Sequence, residues 1–156
     1  MNKAVFFDRD GTINVDVGYL YEPDKLEFIS GVPELIRSFN QKGYLVVAIT
    51  NQSGIARGLY TEEDMHTLHR VMNERLQSEY AAHIDAFYYC PHLPEITGVC
   101  NCRKPSPGLF LRAIRELDID PKTALSFGDS QRDKEASLAA GIDAFIFIWD
   151  AVKKSI

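Results

Sequence analysis

The residues best equipped for chemistry open the chain. Asp8-Arg9-Asp10-Gly11-Thr12 follows directly on the apolar, β-prone run Val5-Phe6-Phe7. Gly11 lets the backbone turn tightly after that strand. On an extended backbone residues two apart point to the same side, so Asp8 and Asp10 are expected to share one. Two carboxylates on one side repel unless a cation or a proton stands between them. Mg²⁺ is the natural tenant, a hard ion that prefers oxygen ligands and leaves room for a phosphate. The pair suits phosphoryl transfer, with one aspartate as nucleophile and the other as proton donor.

Three later segments supply what that chemistry needs. They are Ile49-Thr50-Asn51-Gln52-Ser53-Gly54, then Arg103-Lys104-Pro105, then Gly128-Asp129-Ser130 with Asp133 beyond. A phosphoryl group in flight carries charge on its equatorial oxygens, so placed donors and cations do most of the work. Thr50 offers a hydroxyl, backed by backbone N–H groups of the following turn. Lys104 offers a point charge, and Pro105 and Pro107 restrict the backbone that carries it. Asp129 offers another hard oxygen ligand for Mg²⁺. In this scheme Asp8 attacks phosphorus, and Asp10 protonates the leaving alcohol and then activates water. Each piece alone is an ordinary turn or loop. Their order, each at the end of an apolar run, carries the reading.

The three cysteines form a second constellation. Cys90-Pro91-His92 and Cys100-Asn101-Cys102 hold every thiol of the chain within one short stretch. Three thiolates and an imidazole can close a tetrahedral structural Zn²⁺ site. Such a site is full, so it would shape the loop presenting Arg103 and Lys104 and take no part in catalysis.

The elements that must position these groups alternate. Strands are expected at Ala4–Phe7, Tyr44–Thr50, Ala86–Tyr89, Ala124–Phe127 and Ala144–Ile148. Helices are expected at about Pro33–Gln41, Glu62–Tyr80, Gly108–Leu117 and Gln131–Ala140. Gly43 is the expected C-cap of the first helix, and Thr61 and Ser130 are expected N-caps. Near-continuous apolar strands between helices predict an α/β fold, a doubly wound parallel sheet covered on both faces. Functional groups then gather past the carboxyl ends of the strands. Residues Ile13–Phe28 form a long connection expected to act as a flap. His66, His69 and His83 lie away from strand ends, which points to solvated or core-edge roles. Trp149 is expected to cover the sheet edge.

The chain has 156 residues, 46% hydrophobic and 25% charged, the size and balance of one globular domain over 1–156. Its net charge of −5 argues against a general nucleic-acid binder. Met1-Asn2-Lys3 runs straight into a short strand, with no secretory or membrane segment, so a cytoplasmic setting with reduced thiols is expected, with no membrane partner.

The four acidic, hydroxyl and lysine segments together resemble the haloacid dehalogenase-like phosphatase superfamily. The resemblance implies a Rossmann-like fold with Asp8 as nucleophile, Asp10 as acid/base, and Thr50 and Lys104 as phosphoryl stabilisers. It also implies Mg²⁺ held by Asp8, the Asp10 carbonyl and Asp129, with Asp133 orienting that shell. The Asp-Arg-Asp-Gly-Thr-Ile-Asn, Thr-Asn-Gln-Ser-Gly-Ile-Ala-Arg-Gly, Cys-Pro-His and Cys-Arg-Lys-Pro runs resemble a zinc-loop branch of that superfamily, Zn²⁺ being held by Cys90, His92, Cys100 and Cys102. For that branch a small phosphorylated sugar is the implied substrate, the 7-phosphate of a heptose 1,7-bisphosphate, with histidinol phosphate as the alternative. Arg103, Asn51, Gln52 and Ser53 are the implied substrate contacts, together with the flap from about Asn14 to Tyr21. Arg57 stands open between a second-phosphate contact and a surface ion pair. The intervals on either side of Thr50 are too short for an independent cap, so a capless, open, monomeric enzyme is expected.

Overall fold

A computed structural model describes residues 1–152. Five strands, β1 (Ala4–Phe7), β2 (Leu45–Asn51), β3 (Ala86–Cys90), β4 (Leu125–Gly128) and β5 (Ala144–Phe147), form one parallel sheet in the order β3-β2-β1-β4-β5. Six helices intervene or follow: α1 (Val32–Gln41), α2 (Glu62–Tyr80), α3 (Pro94–Thr97), α4 (Gly108–Glu116), α5 (Gln131–Ala139) and α6 (Ile148–Ala151).

The sheet is central because β1 has no polar side. All four of its residues are fully buried, and alternation sends them to opposite faces. Val5 and Phe7 join the α1 and α2 side, with Ile36, Phe39, Leu68 and Met72. Ala4 and Phe6 join the α4 and α5 side, with Leu109, Phe110 and Ala136. Phe7 stacks on Phe127 of β4 at 5.1 Å, and Phe6 lies 5.1 Å from Phe110. Burial of such a side chain stabilises the fold by about 1.5–3 kcal/mol. With β2 on one flank and β4 on the other, the chain leaves β1 at the point where strand order reverses, which opens a crevice at the carboxyl ends.

Predicted and observed elements agree in type and shift by a residue at several ends. β5 stops at Phe147, where Ile148 starts the short α6 instead of prolonging the strand. Trp149 on that helix stacks on Phe147 at 4.6 Å and covers the edge strand. Lys42 is the C-cap of α1, and Gly43 follows it at φ +81. Thr61 and Ser130 both close reciprocal capping boxes, with Asp64 and Asp133 respectively.

The Ile13–Phe28 connection folds back on itself. The Val15 N–H donates to Glu27 O at 2.9 Å and the Ile29 N–H to Ile13 O at 3.0 Å. Leu20 and Leu26 anchor it in the core, while Val17 and Tyr19 face solvent. Between Asp10 and Thr50 the described residues hold this flap and α1; between Thr50 and Lys104 they hold α2, β3 and α3. No independent cap occupies either interval.

Candidate active site

Asp8 leaves β1 with its N–H donating to Phe127 O at 3.1 Å, so the nucleophile candidate is pinned to the neighbouring strand. The backbone then turns: Arg9 O accepts from the N–H groups of Thr12, Ile13 and Asn14. Asp8 and Asp10 line the same cavity, as their spacing predicts. Gly11 is required at that turn. Its φ is +83, and a Cβ there would overlap the Asp129 carboxylate.

Lys104 is the hub. Its ammonium donates to Asp8 Oδ1 at 2.8 Å, Asp133 Oδ1 at 2.6 Å and Ile49 O at 2.9 Å. All three protons are thus spent, and the side chain is only 4% exposed. Burial would lower the Lys104 pKa, but the charges of Asp8 and Asp133 outweigh it and hold the ammonium above its ordinary value. Asp133 is pushed up by burial and pulled down further by Lys104, ending below the usual carboxylate range. Its other oxygen accepts from the Asp129 N–H, the Ser130 N–H and the Ser130 hydroxyl. Asp133 is therefore a fully engaged scaffold carboxylate.

Asp8 and Asp129 are less well compensated. Donor oxygens of Asp8, Asp129 and Asp133 all lie within 4.8 Å of one another. Burial raises Asp8 well above its ordinary value, against the pull of Lys104, with Asp133 adding repulsion. Burial also raises Asp129. One ammonium among three carboxylates leaves negative charge that a divalent cation would balance. Hard oxygen donors lining an open cavity fit Mg²⁺.

The cavity offers about 190 Å³ of solvent space, lined by Asp8, Asp10, Thr50, Lys104 and Asp129 among others. Thr50 is buried, and its Oγ1 accepts from Gln52 Nε2 at 2.8 Å. The same amide donates to Asp10 Oδ2 at 3.3 Å, and Gln52 Oε1 accepts from the Tyr60 hydroxyl. Gln52 is thus spent on holding two catalytic candidates. Asn51 is spent likewise, bonding the backbone of Lys104 at both its amide atoms. Ser53 and Arg103 line the cavity. Arg57 does not; its guanidinium lies 5.9 Å from the ring centre of Tyr19 on the flap.

Asp16 and Tyr19 line the cavity from the flap, as expected of that connection, whereas Tyr60 before α2 and Arg132 in the first turn of α5 escaped the sequence reading. Arg132 had a usable signal, three residues past Asp129 at a helix start. His69 was under-read too. It is 4% exposed on the buried stripe of Met65, Leu68 and Met72, and the helical spacing of those residues already placed it inward.

The thiols converge as their spacing suggests. Cys90 Sγ lies 3.6 Å from Cys100 Sγ and 2.8 Å from Cys102 Sγ, and His92 Nδ1 lies 3.4 Å and 3.2 Å from Cys90 and Cys102. Burial pushes the Cys90 thiol up, whereas at Cys100 the lift from burial is outweighed by the N–H groups of Cys102 and Arg103, bringing it to about 6. Four donors, three of them sulfur and none a carboxylate, fit a soft tetrahedral ion such as Zn²⁺.

With this fold and these acidic, lysine and hydroxyl groups at its switch point, the chain belongs to the haloacid dehalogenase-like hydrolase family, whose description matches residues 15–141. Among its relatives is the D-glycero-beta-D-manno-heptose-1,7-bisphosphate 7-phosphatase of Haemophilus ducreyi, 43% identical over 150 residues, covering 94% of this chain and 82% of that protein. The protein of the same name from Escherichia coli K12 is 43% identical over 150 residues, covering 93% and 78%. The D,D-heptose 1,7-bisphosphate phosphatase from B. bronchiseptica, solved with magnesium and phosphate, matches at a TM-score of 0.80 and 33% identity, covering 94% of this chain and 79% of that one.

Proposed function

We propose that this chain is a Mg²⁺-dependent phosphatase that removes the 7-phosphate of D-glycero-D-manno-heptose 1,7-bisphosphate. The observation that carries the chemistry is the Lys104 ammonium bridging Asp8 and Asp133 on the floor of an open cavity. The substrate rests on the 43% identity to heptose-bisphosphate phosphatases over nearly the whole chain.

Lys104 holds one Asp8 oxygen, which leaves the other free to attack phosphorus. The P–O bond to the sugar breaks as the Asp8–phosphorus bond forms, and the departing oxygen takes a proton from the Asp10 carboxyl. Water then attacks the aspartyl-phosphate and gives a proton to Asp10, and the bond to Asp8 breaks to release inorganic phosphate. The Thr50 hydroxyl and the Lys104 charge face the phosphoryl oxygens, while the Gln52 N–H is spent on Cys90 O at 2.8 Å. Asp8, Asp129 and the Asp10 carbonyl would hold Mg²⁺, which when bound offsets the repulsion between the nucleophile and its anionic substrate. Cys90, His92, Cys100 and Cys102 would hold Zn²⁺, which would fix the loop carrying Arg103 and Lys104. Gln52 and Asn51 serve in this reading as holders of those groups, while Arg103, Ser53 and Arg132 face the sugar.

Phosphate release from both anomers of heptose 1,7-bisphosphate, from histidinol phosphate and from common hexose phosphates tests this reading. Fastest turnover of a heptose bisphosphate, lost with EDTA and abolished by Asp8→Asn, is expected. Faster turnover of histidinol phosphate would move the substrate assignment, and full activity in Asp8→Asn would end the mechanism.

A further inference from the structure

We propose that His69 is a positioning residue for Asp10, acting through Arg9. The inference rests on the reading of Asp10 as proton donor and acceptor. Arg9 is the largest fully buried side chain among the described residues. Its Nε and Nη2 donate to the Asp10 carboxylate at 3.1–3.3 Å, and Nη2 also donates to Leu20 O of the flap at 3.0 Å. Nη1 lies 3.2 Å from His69 Nε2.

A guanidinium has only donors, so Nε2 must be the acceptor and the imidazole must be neutral, with its proton on Nδ1. That assignment follows from the contact alone. The His69 ring is itself fixed, face to face with Phe87 of β3 at 4.1 Å and 9°. A ring held by the sheet presents its lone pair in one direction, and the planar fork of Arg9 transmits that direction to Asp10.

The neutrality of His69 has a purpose. A carboxylate at this position would compete with Asp10 for the buried cation. A neutral acceptor orients the fork and leaves its ionic attraction to Asp10. Among the described residues no other carboxylate pairs with Arg9. One rigid plane thus ties the acid/base group to the scaffold through α2 and to the flap through Leu20.

The test uses the full chain with Mg²⁺ and two kinds of ester. A sugar phosphate needs a proton on its leaving oxygen; p-nitrophenyl phosphate does not. His69→Phe keeps the stack on Phe87 and removes the acceptor. It is expected to lower kcat on the sugar phosphate by about tenfold to a hundredfold with KM unchanged, while the pre-steady-state burst of nitrophenolate persists. His69→Gln, which restores an acceptor, is expected to recover most of the loss. If His69→Phe precipitates, His69→Leu carries the same comparison. Loss of the nitrophenolate burst alongside the sugar-phosphate turnover, or a change in KM alone, would overturn the proposal. Asp10→Asn is run beside them: if it shows the leaving-group dependence and His69→Phe does not, the positioning role alone falls. If Asp10→Asn shows no such dependence, the acid/base reading falls and takes this proposal with it.

Discussion

The side chain of Asn51 grips the backbone of Lys104 at both ends: its Oδ1 accepts from the Lys104 N–H at 3.0 Å, and its Nδ2 donates to the Lys104 carbonyl at 3.2 Å. A residue at the tip of β2 thereby fixes where the loop after β3 delivers its ammonium. Asn51→Leu keeps the volume and removes both bonds. Misplacement by about an ångström costs roughly a hundredfold in rate. Steady-state kinetics are expected to show a fall in kcat of that order, with a KM within a few-fold of the parent.

Lys104→Met acts differently, because it removes the ammonium itself. Asp8 and Asp133 are then buried without their shared partner, and breaking such a pair destabilises a fold by about 3–5 kcal/mol. Urea unfolding in the absence of metal is expected to show a loss of that size. Millimolar Mg²⁺ is expected to restore part of the stability and none of the turnover.

His69 gives the folded protein a pH signature. Burial, reinforced by the neighbouring Arg9 charge, lowers its pKa from 6.5 to about 3. Below pH 6.5 the unfolded chain takes up a proton that the folded chain refuses, so stability falls as pH falls. The contribution is complete above that value and is lost progressively towards pH 3, at up to about 1.4 kcal/mol per pH unit. Urea midpoints at pH 7, 6 and 5 are expected to converge between the parent and His69→Gln, which lacks the titration. A constant gap would contradict the neutral, buried imidazole.

The thiol cluster predicts its own metal. Protein purified without chelator is expected to carry about one zinc per chain, by elemental analysis, and Cys100→Ser/Cys102→Ser is expected to carry none. Activity is expected to fall in that variant because Arg103 and Lys104 follow Cys102 directly, although neither cysteine faces the cavity.

Much of this architecture was legible beforehand. Apolar runs broken by glycine, capping serine and threonine, and clustered cysteines are local signals, and they located the strands, long helices and converging side chains. What escaped depends on direction. Asn51 and Gln52 carry amides as suitable for a sugar as for a backbone, and only the fold shows that Lys104, Thr50 and Asp10 have taken them. Arg57 follows Gly54 in sequence yet turns to Tyr19. The short α3 and α6 have four residues each, too few for a periodic pattern.

β1 draws its two hydrogen-bonded neighbours from distant parts of the polypeptide, β2 and β4. Contacts so remote in sequence form late and slowly. A ribosome-bound chain has therefore already made Asp8 and Asp10 long before Asp129 emerges to join them. A chain cut short between Lys104 and Asp129 would hold Asp8 and its ammonium partner, yet lack the two later carboxylates that complete the cluster.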